Sequence, residues 1–180
     1  MLKFAAAAVM ACVCGGMGIE DRGSLADTQG NAASAIHRYR AAIAALLQLK
    51  PGRTVAEVAA TPGVLTSELT PLVGAPGRVI EGTLDRQSGG LGLEPASVDA
   101  VALLGVFTLT GRHKEIVDRA AAALKSGGAL LVVDVPQEND GKKVVGIEAE
   151  DLVKLAAAAG LKREAESGIV PGHYSIRFRK

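Results

Sequence analysis

The chain has 180 residues, 48% of them hydrophobic, with three Phe, two Tyr and no Trp. That is enough for one domain with a real core. A formal net charge of +1 excludes any bulk electrostatic case for nucleic acid or an anionic membrane as partner.

Residues 1–18 stand apart. Met1, Leu2 and Lys3 make a minimal positive start, and Phe4 to Val13 is a short alanine-rich apolar run. The run is too short to span a bilayer, and its flanks suit an export signal. Val9-Met10-Ala11-Cys12 resembles a bacterial lipobox, with Met departing from the usual small or branched residue. Three readings stay open: lipidation of Cys12 with membrane anchoring, ordinary cleavage after Ala11, or a translation start elsewhere. The matching locations are lipid-anchored, periplasmic, or cytoplasmic if the segment is no signal. Cys12 and Cys14 are the only cysteines. A mature domain without them has no disulfide and no thiolate metal site, and no metal is expected. Ile19 to Asn31 reads as a polar linker, which leaves residues 32–180 as the domain.

From about Ala32 to Leu49, the residues Ile36, Tyr39, Ile43, Leu46 and Leu47 recur at helical spacing. The stretch LKPGRTVAEVAATPGVLTSELTPLVGAPGRVIEGTLD, Leu49 to Asp85, then reads as strand, turn, helix, turn, strand. Pro51-Gly52 turns into a β-leaning run over Thr54 to Val58. Thr61-Pro62 predicts an N-cap and a first-turn proline. Leu65, Leu69, Leu72 and Val73 mark the buried face, with Pro71 near the helix end. Gly74 to Gly77 stops it, and Arg78 to Leu84 is extended again. Such a unit forms parallel strands and points its first turn at a ligand.

Between Asp85 and Ser97 the chain offers only RQSGGLGLEPA. A strand-helix crossover needs a dozen residues or more, so a flexible loop is expected here instead. Val98 to Leu109 is a continuous apolar run, as in a strand buried on both faces. Gly111 to Leu124 predicts a helix, with Lys125 to Gly128 as its C-cap. Ala129 to Val135 is a second buried strand, and Gln137 to Lys143 a polar loop. Ala149 to Ala159 predicts a helix closed by Gly160. Leu161 to Glu166 and Tyr174 to Arg179 are a closing antiparallel pair.

The Leu49–Asp85 unit resembles the first half of a class I S-adenosylmethionine-dependent methyltransferase, and the likeness runs on to the C-terminus. It covers about three quarters of the chain. The proteins it is most similar to are small, exported, methyltransferase-like and bacterial. The resemblance implies a doubly wound, mostly parallel Rossmann-like α/β sheet, here lacking one edge strand-helix unit. It also implies S-adenosylmethionine as cofactor.

In those enzymes an acid ends the first strand, a Gly-x-Gly-x-Gly turn follows, and another acid ends the second strand. Here Glu57 keeps the first acid, while Ala59, Thr61 and Gly63 stand at the glycine positions. Glycines let backbone approach the ligand closely, and the β-branched Thr61 stands where the ligand would lie. The second acid falls in register on Thr83, flanked by Glu81 and Asp85. Asp85 is a substitute if the strand runs on, and otherwise a solvated loop carboxylate. After the fourth strand only Thr108, Thr110 and His113 could serve catalysis, and Asp134 is either a pocket acid or a structural one. His37 and His173 are far from these in sequence, and no Ser-His-Asp pattern or P-loop occurs.

Two function classes follow. One is a methyltransferase with a relaxed cofactor site, its catalytic residues unassigned. The other is a non-catalytic exported scaffold on the same fold that binds a small molecule or a protein. Nothing in the sequence assigns an oligomeric state.

Overall fold

The computed structural model describes residues 34–139 and 144–180. The signal and linker readings for residues 1–31, with Cys12, lie outside the described residues. In chain order the elements are α1 (Arg40–Leu46), β1 (Thr54–Ala59), α2 (Thr66–Val73), β2 (Arg78–Glu81) and β3 (Val98–Leu104). Then follow α3 (His113–Ala123), β4 (Leu124–Asp134), β5 (Glu138–Asn139), β6 (Val144–Val145), α4 (Ala149–Ala158), β7 (Lys162–Ser167) and β8 (Tyr174–Arg179).

Six strands form one sheet in the order β2-β1-β3-β4-β8-β7. The first four run parallel, and β8 and β7 close the sheet antiparallel, as expected. Alternating side chains split the interior in two. Val101 and Leu103 of β3 face α3 and α4, while Ala100, Ala102 and Leu104 face α1 and α2. The central strands are buried on both sides because crossover helices cover both faces, which is why they read as unbroken apolar runs.

No regular strand or helix forms over residues 86–96. The loop expected to be flexible is tied down instead. Asp85 and Gly90 form an antiparallel bridge, and the Thr83 amide donates to the Leu91 carbonyl at 3.1 Å. Leu91 is buried, and Leu84 and Leu93 pack beside it on the α3 side of the sheet. Three leucines thus cover apolar surface that a crossover helix would otherwise shield.

Several boundaries differ from the sequence reading: β2 stops at Glu81 rather than Leu84, β3 stops at Leu104 rather than Leu109, and three others have a visible cause. The predicted N-cap at Thr61 is replaced, because Gly63 adopts a φ of +74° and interrupts the turn; the helix starts at Thr66 with Leu65 as its cap. Residues 125–128 belong to β4 rather than to a helix cap, because Gly127 donates to Lys180 O and Lys180 donates to Gly128 O. The first predicted helix is divided at Tyr39, where φ is −100° and ψ 12°.

Candidate functional site

The carboxyl ends of β1, β2, β3 and β4 meet at one edge of the sheet, where open α/β folds bind ligands. Glu57 lies two residues before the end of β1 and points toward α2. It is 1% exposed. Its Oε1 accepts the Leu65 amide at 3.0 Å and its Oε2 accepts the Thr66 hydroxyl at 3.1 Å. Burial raises the Glu57 pKa; the Leu65, Thr66 and Val64 donors oppose that rise, and Glu81 adds to it.

Glu81 is the register partner of Glu57 across the β1–β2 pair, so the two carboxylates stand side by side on the α2 face. The Thr66 hydroxyl is 3.3 Å from Glu81 Oε1. One hydroxyl proton serves one acceptor at a time, so Thr66 links the two acids without satisfying both. Gly63 is favoured here for two reasons. Its positive φ favours glycine, and a Cβ would stand 3.3 Å from Glu81 Oε1. The sequence reading had Glu81 only as a flanking residue; its pairing with Glu57 depends on strand register, which spacing alone does not give.

The remaining site positions separate. Ala59 ends β1 against Leu104. Thr61 is exposed and lines a groove of about 510 Å³ with Ser34, His37, Arg38 and Val64. Thr83 is exposed beyond the end of β2, its amide already bonded to Leu91. Asp85 points into its own turn: its carboxylate accepts the Ser88 hydroxyl at 2.5 Å and the Gln87 amide at 2.9 Å. The Ser88 hydroxyl, then the Gln87 amide, hold its pKa below the usual carboxylate range.

On the β3–β4 side, Asp134 is fully buried. It accepts the Phe107 amide at 3.0 Å and its neighbour Val135's amide at 2.9 Å. Desolvation dominates over these donors and pushes its pKa up to about 7. Asp134 therefore pins the segment after β3. Thr108 donates to Gly105 O at 3.0 Å, and Thr110 donates to Arg86 O at 2.8 Å, joining that segment to the 85–90 loop. His113 opens α3, with its Nε2 3.1 Å from Phe107 O and its ring edge-on to Phe107 at 5.3 Å. His37 is exposed in the 510 Å³ groove, and His173 hydrogen-bonds to Pro171 O at 2.9 Å. Among the described residues no three His, Cys, Asp or Glu side chains group as metal ligands.

No protein-family model and no curated protein matches this sequence. Solved structures do. A SAM-dependent methyltransferase from Aquifex aeolicus superposes with a TM-score of 0.64 at 14% identity, over 88% of this chain and 99% of that one. An O-methyltransferase family 2 protein from Planctomyces limnophilus, solved with apigenin, gives 0.60 at 17% identity over 87% and 62%. The [4+2]-cyclase SpnF gives 0.58 at 15% identity over 82% and 81%. At such identities the likeness is one of fold. The chain has the fold of the class I S-adenosylmethionine-dependent methyltransferases, shortened at one edge of the sheet.

Proposed function

We propose that this chain uses the methyltransferase fold as an exported, non-catalytic binding scaffold with an eroded cofactor site. The carrying observation is that the groups a cofactor would need already have partners within the protein. Glu57, the one acid retained from the family pattern, has its oxygens on Leu65 and Thr66 and almost no exposure. Position 83 carries a threonine whose amide is bonded to Leu91. The residues present do not fit S-adenosylmethionine as the resembling enzymes hold it. That a cyclase shares this fold supports separating fold from activity.

The competing reading is a methyltransferase with a relaxed site, and the Glu57–Glu81 pair favours it, since two carboxylates stand at the cofactor end of the sheet. Calorimetric titration separates the two. Charge-assisted hydrogen bonds are worth about 1.5–3 kcal/mol each. Losing both bonds to a ribose should weaken a micromolar binder by on the order of a thousandfold. The expected result is no heat with S-adenosylmethionine or S-adenosylhomocysteine at sub-millimolar concentration. Micromolar binding, abolished by Glu81→Ala, overturns the eroded-site reading instead.

Export belongs to the same proposal, because this cofactor is a cytosolic product. Intact mass measurement of the native protein is expected to find the first residues removed, with a diacylglyceryl mass on Cys12 if it is anchored. A native chain retaining Met1 to Gly18 removes this part of the reading.

A further inference from the structure

At the opposite end of the sheet, away from the carboxyl ends of the parallel strands, lies a second cavity of about 510 Å³. That volume suits a small-molecule ligand, for which pockets run from about 300 to 1,000 Å³. It is built where Thr54 opens β1, Ala100 pairs with Ala129, and Arg179 ends β8. Its lining carries Lys50, Arg53 and Arg179 against one carboxylate, Asp99.

Asp99 is not available to a ligand. Its oxygens accept the Thr54 amide at 2.9 Å, Arg53 at 2.8 Å and Lys125 at 3.1 Å. Burial opposes its ionisation, but these donors outweigh burial and keep it charged. Its role is to fix Arg53 at the cavity wall. Arg179 is fixed likewise, by a two-pronged bond to Glu164 at 2.9 and 3.0 Å and a bond to Gly127 O at 3.0 Å.

What remains unengaged is a set of donors. Lys50 Nζ and the Ser126 hydroxyl have no hydrogen-bond or ion-pair partner among the described residues, and Arg53 commits one guanidinium nitrogen. Gly127, at a φ of +73°, has nothing within 4 Å of where a Cβ would be, so a ligand can approach the backbone there. The Arg53 guanidinium with nitrogens to spare, a free ammonium and a hydroxyl, around a cavity whose one carboxylate is saturated, favour an anion with several acceptor oxygens. We propose that this cavity binds a small phosphate monoester, with Lys50 and Arg53 holding the phosphate and Ser126 donating to it. The proposal is independent of whether the other end of the sheet binds anything.

The test is an NMR titration of the full chain, followed by amide shifts, with AMP, adenosine and inorganic phosphate as separate probes. AMP is expected to shift the amides of Lys50, Ser126 and Gly127 saturably, and to leave those of Thr61 and Val64 in place. Adenosine is expected to shift neither set. Saturation by inorganic phosphate as tight as by AMP means the site reads the phosphate alone; tighter AMP binding means the cavity also takes the ester's body. Lys50→Glu should weaken AMP by about tenfold or more. Ser126→Ala should weaken it by less, and both positions are exposed enough for the fold to survive. Absence of saturable shifts with AMP and phosphate, shifts confined to the Thr61 end, or AMP affinity unchanged in Lys50→Glu each overturn the proposal.

Discussion

Asp134 has both carboxylate oxygens on main-chain amides, in a position with no solvent. In the folded protein its pKa is raised from the ordinary 3.8 to about 7. Between those values the folded chain holds this proton and the unfolded chain has lost it. More protons bound in the folded state means that stability falls as pH rises through the interval. Below it both states are protonated, and above it both are ionised, so the contribution is flat. Asp134→Asn cannot titrate, and it leaves one of the two amides facing an NH₂ group rather than an acceptor, at a cost of about 1–3 kcal/mol. Relative to wild type, the variant should therefore gain stability from pH 4 to about pH 7 and hold level above it. Urea denaturation midpoints across that range measure it. A gap that does not change with pH shows that Asp134 keeps one protonation state throughout.

The elements that carry long apolar runs were legible in the sequence because burial on both faces leaves no polar alternation to confuse them. Ala100–Leu104 and Leu130–Val133 are of this kind. The missing crossover was legible from length alone, since residues 86–96 are too few for a strand-helix unit. How that gap is covered was not. Leu84, Leu91 and Leu93 look like loop residues until the Asp85 turn folds them back onto the sheet. The start of α2 was misplaced for a similar reason. Thr61-Pro62 has the local chemistry of a helix start, but the Leu65 amide finds its acceptor in Glu57, eight residues earlier and on a neighbouring strand. The bond is set by tertiary placement, and local spacing carries no trace of it. The site shares this limit. Glu57 could be singled out as an acid after an apolar strand, whereas Glu81 gained its place only through register. The cavity at the far end draws Lys50, Arg53, Ser126 and Arg179 from three separate parts of the chain, so no motif announces it.

At the scale of the whole molecule, one sheet divides two apolar layers that never meet except through it. Ile43 lies in the layer with α1 and α2, Ile116 in the layer with α3 and α4, and both are fully buried. β1, β3 and β4 each contribute side chains to both layers, so neither layer can open without exposing the inner face of strands that the other still packs against. This coupling predicts a single cooperative unfolding transition, as small single domains usually give. It also makes a sharper prediction about additivity. Ile43→Val and Ile116→Val each remove one buried methyl, at about 0.5–1.5 kcal/mol. The two positions share no contact and lie on opposite sides of the sheet, so the double variant should lose the sum to within about 0.5 kcal/mol. Urea unfolding followed by circular dichroism and by calorimetry on the same samples tests both statements. If the layers behaved as separate units, each single variant would shift only part of the transition and the two probes would part company. One coincident transition in all four proteins, displaced additively, is the expected result, because the strands that position the candidate site are the same strands that join the two cores.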